Sequence, residues 1–360
     1  MIDIQTSKQP ALQPSPTGTG KPPVFTRAVI VKGALWFTLI SVLAISAVFF
    51  YNNTGKTLHA LSQIRPGYIV LCLGMLLADL LLGGWRNHIF VRKINPAVSQ
   101  WTSFKANTAN MFMGAITPGH SGAGPAQIYI YMRGGLDLMS AFTIALINMA
   151  ATLIFMPLAA LAALLMVKNS FETGLVPALL KYGFCFFTLF LMVFILAFVR
   201  PLLVGSVVKK TAQLLGRLIP SRRTRLQAWA QQLYNNIHRY QQTCRILLQQ
   251  HPDLFPLSVL ITTVLYLNKY CMQWVILAGM GIHANPVQVM ALQVLIQFMI
   301  YFAPSPGGSG FAEISIAVLF RQLVPAAAMP LFTLLQRAFL LFFPAIIGAV
   351  VVISRLKKDV

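Results

Sequence analysis

Apolar residues gather into six long runs, at positions 28–50, 67–84, 138–167, 178–199, 254–280 and 330–353. Each run is near or beyond the about 20 residues that a helix needs to cross a bilayer, so the pattern predicts six spanning helices. Two segments of another kind lie among them, residues 104–133 and 286–325. Each has a short apolar arm, a break rich in Gly and Pro, and a second short arm. Arms of about 12–18 residues are short for a span, so each segment is expected to enter the membrane and return on the same side. The order is span, span, hairpin, span, and then the same again.

The two hairpins can be laid on each other. A shift of 186 places "TPGHSGAGPAQI" (117–128) on "APSPGGSGFAEI" (303–314). Pro118 then meets Pro304, Gly122 meets Gly308, Gly124 meets Gly310, and Gln127 falls on Glu313. The same shift carries the second run onto the fifth and the third onto the sixth. Three crossings per half is an odd number, so the halves must be oppositely oriented. The expected fold is an all-α polytopic membrane protein with six spanning helices and two oppositely oriented re-entrant hairpins in an inverted repeat. The expected organisation is a disordered tail at 1–27, a first repeat at 28–167, a second repeat at 178–353 and a short tail at 354–360.

Composition excludes the soluble classes. The 360 residues are 57% hydrophobic and 10% charged, with a mean hydropathy of +0.71, whereas soluble domains carry about 25% charged residues. The net charge of +21 does not call for nucleic acid, because the cations concentrate in particular connections. Eight Lys and Arg lie in residues 205–253 alone. By the positive-inside rule both termini, the 86–105 segment and the 205–253 insertion are cytoplasmic, and Arg86 marks the inner interface. Within the insertion Leu226, Leu233, Tyr240 and Leu247 recur every seven residues, beside Ala230, Ile237 and Cys244. That stripe fits a helix lying on anionic inner-leaflet lipid, or one packed on its own copy in a homo-oligomer.

Candidate chemistry concentrates in the breaks. Pro304 and Pro306 stop the incoming arm, while Gly307, Gly308 and Gly310 permit a tight turn and a close backbone approach. A helix restarting near Phe311 presents free N–H groups suited to a phosphate or carboxylate; alternatively the glycines only allow a compact turn. Glu313, the sole acid between Asp253 and Asp359, either favours the helix dipole or serves as a proton carrier or counter-ion. Asp79, Lys269 and Arg337 also fall inside apolar runs. Asp79 and Lys269 sit on repeat mates and are candidates to meet, as a strut or a gate. Arg337 suits a lipid phosphate or a snorkelling role. Asn110 and His120 line the first hairpin. No spacing makes a metal site, a cofactor motif, a nucleophile triad or a nucleotide loop.

The motifs Asn110, Pro118, Gly119, Gly122 and Gly124, then Pro304, Pro306, Gly307, Gly308, Gly310 and Glu313, then Arg337, resemble the transmembrane region of the lysylphosphatidylglycerol synthases, the flippase-like domain. The resemblance spans roughly residues 28–353. "HSGAG" stands where that family has a double glycine, and Gln127 where it has an acid. The chain runs seven residues past Ile353, so the membrane module without the soluble aminoacyl-transferring domain is expected. The resemblance implies a bacterial or archaeal membrane and movement of an anionic, aminoacylated or polyprenyl-linked lipid. Two other roles stay open: an intramembrane enzyme acting on a lipid phosphate, and a non-transporting partner of a lipid-modifying enzyme.

Overall fold

The computed structural model describes residues 27–51, 64–166, 175–199, 239–301 and 303–356, with a few isolated positions between 206 and 237. Eleven α-helices are described: α1 (Arg27–Tyr51), α2 (Pro66–Ile94), α3 (Gln100–Ile116), α4 (Ala123–Arg133), α5 (Leu138–Met166), α6 (Leu175–Val199), α7 (Leu254–Gly279), α8 (Pro286–Ile300), α9 (Phe311–Leu319), α10 (Met329–Arg337) and α11 (Phe343–Leu356). Among the described residues there is no strand. Among the described residues four helices are long and apolar enough to cross a membrane: α2, α5, α7, and the unit running from Met329 to Ser354. The 25-residue helices α1 and α6 cover two more of the apolar runs.

Local chemistry sets the helix starts. Ser99 accepts the Thr102 N–H at the head of α3. Asp137 accepts from Met139 and Ser140 ahead of α5, and Asn285 accepts from Val287 and Gln288 ahead of α8. Each side-chain oxygen satisfies donors that the first turn leaves unpaired. The last helix changes winding midway, with a π segment at Ala338–Phe342 joining α10 to α11. Pro344, one residue into α11, has no N–H for the carbonyl four residues back and crowds it, which accounts for the wider turn.

Packing brings the breaks together. Helices α2 and α7 run antiparallel: Arg65 N–H donates to Gly279 O near one end, and Arg86 donates to Thr262 toward the other. Helices α3 and α4 form an antiparallel hairpin, with Thr102 against Gly134, Asn110 bonded to Gln127, and Gly114 against Ala123. At about 1.5 Å per residue neither arm reaches the roughly 30 Å of a bilayer core. The last helix crosses α3 so closely that Gly348 leaves no space for a Cβ against Thr108.

Residues 1–26, most of the 205–253 insertion, including Leu226, Ala230 and Leu233, and residues 357–360 lie outside the described residues. The described end of the insertion packs on the bundle. Tyr240 is buried with its ring 6.4 Å from that of Phe142, and Leu247 is fully buried.

Candidate functional site

The breaks between α3 and α4 and between α8 and α9 meet at their tips. Pro118 and Pro306 pair as an isolated antiparallel bridge. The two turns share one backbone form. Gly119 and Gly307 have φ of 57° and 58°, and the next residues, His120 and Gly308, have 54° and 65°. Helix α4 starts at Ala123 and α9 at Phe311, and α2 and α7 start at Pro66 and Leu254. These pairs are separated by 188 positions, two more than the shift read from sequence, whereas α3 and α8 start 186 apart, at Gln100 and Pro286. The residues matched by conformation are Pro118 with Pro306 and Ser121 with Ser309. Gln127 is therefore matched with Ser315, and Glu313 with Pro125.

The second tip is closed and internally bonded. Pro306 through Ser309 are buried. Gly308 and Ser309 donate to Ser305 O and Pro306 O, and Ala312 donates to Gly308 O. Gly310, with φ of 86°, gives its N–H to Glu313 Oε2 at 2.6 Å. The carboxylate thus caps its own helix and uses one of the N–H groups that the sequence offered to an anion. Its other oxygen lies 2.9 Å from Arg337 Nε, with the two side chains 1% and 7% exposed. The N–H is not aligned on that oxygen, so the contact is held by charge. Arg337 Nη2 completes the tie by donating to Gly307 O and Ser309 Oγ. From α1, Ser41 reaches the same Ser309 hydroxyl at 2.9 Å. Pro304 is exposed beside this cluster.

The first tip differs. Pro118, Gly119 and Ser121 are exposed. Thr117 Oγ1 donates back to Met113 O and accepts the Gly122 N–H, which closes the turn. His120 lies against Gly114, within electrostatic reach of both Arg337 and Lys269. Asn110 spends its amide N–H on Gln127. Nothing stands near the position of a Cβ on Gly124.

Asp79 and Lys269 meet at 3.3 Å, with side chains 4% and 20% exposed. The ammonium also lies over the Tyr266 ring, 5.9 Å from its centre. Three partners were not anticipated from the sequence. Ser41 looks like any small residue in an apolar helix. The buried pair Gln293–Gln336, bonded amide to amide, was signalled only by two glutamines inside apolar helices. Arg86 is half-buried, and its Nη1 turns inward to Thr152 and Thr262 at 3.4 and 3.2 Å. Among the described residues no three His, Cys, Asp or Glu side chains converge.

A helical chain with four bilayer-length apolar helices and ion pairs buried between them is a multi-pass membrane protein. It belongs to the family described as the lysylphosphatidylglycerol synthase TM region, which matches residues 31–348. A UPF0104 membrane protein of Archaeoglobus fulgidus is 23% identical over 290 residues, covering 80% of this chain and 86% of that protein.

Proposed function

We propose that the protein moves an anionic lipid, aminoacylated or polyprenyl-linked, or its head group, between the leaflets of a bacterial inner membrane. In this reading α1 and α6 complete six spans, the two hairpins are re-entrant from opposite faces, and both termini are cytoplasmic. The observation that carries it is the pairing of the Pro118 and Pro306 tips beside the buried Glu313–Arg337 pair. Backbone that is neither helix nor sheet is tolerated at membrane depth only where protein or a wet cavity surrounds it. The antiparallel run of α2 and α7, and the like-folded turns 188 residues apart, support an inverted repeat. Such repeats bind cargo where broken helices meet.

Glu313 and Arg337 hold each other in this arrangement. Cargo therefore acts by exchange: a phosphate takes Arg337 from Glu313, while Glu313 receives a cationic group or a proton. The test is leaflet accessibility of head-group-labelled phosphatidylglycerol and its lysyl ester in proteoliposomes. The expected result is transfer by the wild-type chain and loss of transfer in Glu313→Gln and Arg337→Ala. Wild-type rates in both variants would overturn the assignment of this site.

A further inference from the structure

Among the described residues Arg86 is a half-buried cation among the helices that makes no ion pair, its nearest charge partner being the more distant Asp79. It lies on α2, between Thr152 of α5 and Thr262 of α7. Each threonine gives its own proton to a carbonyl one turn back, Asn148 O at 3.2 Å and Ser258 O at 2.6 Å. Their oxygens are thereby left to accept from Arg86, which fixes the guanidinium but does not neutralise it. Its Nε is buried and has no acceptor. Among the described residues no carboxylate lies within ion-pair distance of it. Asp79 is seven residues back on the same helix, about 10 Å along the axis, and already holds Lys269. The polar group between α2 and α7 thus sets one carboxylate against two cations, whereas Glu313 and Arg337 balance one to one.

A guanidinium cannot shed its proton to escape this position, and burying an uncompensated charge is costly. Its planar fork matches two oxygens of a phosphate or carboxylate. A carboxylate from the chain would have answered the charge; two hydroxyls orient the fork and leave the anion to come from outside. We propose that Arg86, oriented by Thr152 and Thr262, is an oxyanion-binding site of the protein whose ligand is the phosphate of an anionic lipid head group. The site is separate from the Glu313–Arg337 cluster. Only the lipid source of the phosphate rests on the transport reading; the charge imbalance and the geometry do not.

The test is equilibrium binding, which needs no transport. Full-length protein in a neutral detergent is titrated with phosphatidylglycerol, with phosphatidylcholine and with inorganic phosphate. Native mass spectra and the thermal midpoint are followed. Phosphatidylglycerol is expected to bind the wild type and raise its midpoint, as ligands of the native state do. Arg86→Gln should weaken that binding by about tenfold or more, because a charge-assisted pair is lost. Arg86→Lys, which keeps the charge and loses the fork, should fall between the two and serves where the glutamine variant does not fold. Competition by inorganic phosphate would confirm a phosphate-sized contact. Phosphate binding without phosphatidylglycerol binding would overturn the lipid source. Phosphatidylglycerol binding equal to wild type in folded Arg86→Gln or Arg86→Lys would overturn the site.

Discussion

Replacing Glu313 by Gln keeps the size of the side chain and an oxygen able to accept the Gly310 N–H, and removes only the charge. Arg337, 7% exposed and 2.9 Å away, would then keep two neutral acceptors, Gly307 O and Ser309 Oγ, and no anion. Breaking a buried ion pair from one side costs about 3–5 kcal/mol. Arg337→Gln should cost less, because a lone buried carboxyl can take up a proton whereas a guanidinium cannot give one up. The double variant removes both charges and should recover much of the loss. The assay is thermal unfolding of the four proteins in one detergent, read by tryptophan fluorescence. At roughly 2–4 °C per kcal/mol for a mid-sized domain, and less for a larger one, Glu313→Gln should lower the midpoint by roughly 5–15 °C. A coupling below about 0.5 kcal/mol, or Arg337→Gln as the more damaging change, would refute the reasoning.

The other charged pair should respond unequally. Lys269→Gln strands Asp79, whose Oδ1 already lacks a partner, and should cost about 3 kcal/mol. Asp79→Asn leaves a lysine that is still 20% exposed and should cost about 1 kcal/mol; equal losses would contradict this. Gly308→Ala forces φ of 65° on a residue whose Cβ would stand 2.6 Å from Ile300 Cγ2, so a loss of about 1–3 kcal/mol is expected. Gly124→Ala enters open space on a helix and should be neutral or stabilising by up to about 1 kcal/mol. Lost transport in a stable Gly124→Ala protein would then point to cargo passing that position. Gln336→Leu should cost about 1–3 kcal/mol by leaving the 1%-exposed Gln293 without its donor. Gln293→Leu added to it should return part of that, as read from the same melts.

Hydropathy alone located the helices, because length and apolarity are what a bilayer demands. The run at 138–167 became α5 at Leu138–Met166, and the run at 254–280 became α7 at Leu254–Gly279. The breaks were legible as Gly and Pro clusters, and Glu313 and Arg337 as rare charges among apolar residues. Their direct contact was not legible, since side-chain direction has no signature in a one-dimensional pattern. The inward bonds of Arg86 were hidden for the same reason: near the end of an apolar run it looks like an interface marker, and only the positions of Thr152 and Thr262 reveal the side of the helix it bonds on. At the two turns the spacing is 188 rather than the 186 that residue identity suggested, because like conformation and like residues do not coincide there. His120 takes the positive φ that Gly308 takes in the other turn, so the residue that breaks the glycine pattern is the conformational mate of a glycine.

The central claim is that the two breaks form one site, and a cross-link between their tips tests it most directly. With Cys72, Cys185, Cys244 and Cys271 replaced, Pro118→Cys and Pro306→Cys are introduced together and oxidised in membranes. Residues facing each other in an antiparallel bridge have Cα atoms about 4.5–5.5 Å apart, within the span of a disulfide. Rapid, complete cross-linking within one chain is predicted, with none in a control pairing Pro118→Cys with exposed Val287→Cys at the start of α8. Tips that stay reduced, or a control that cross-links as fast as the tips, would contradict the account.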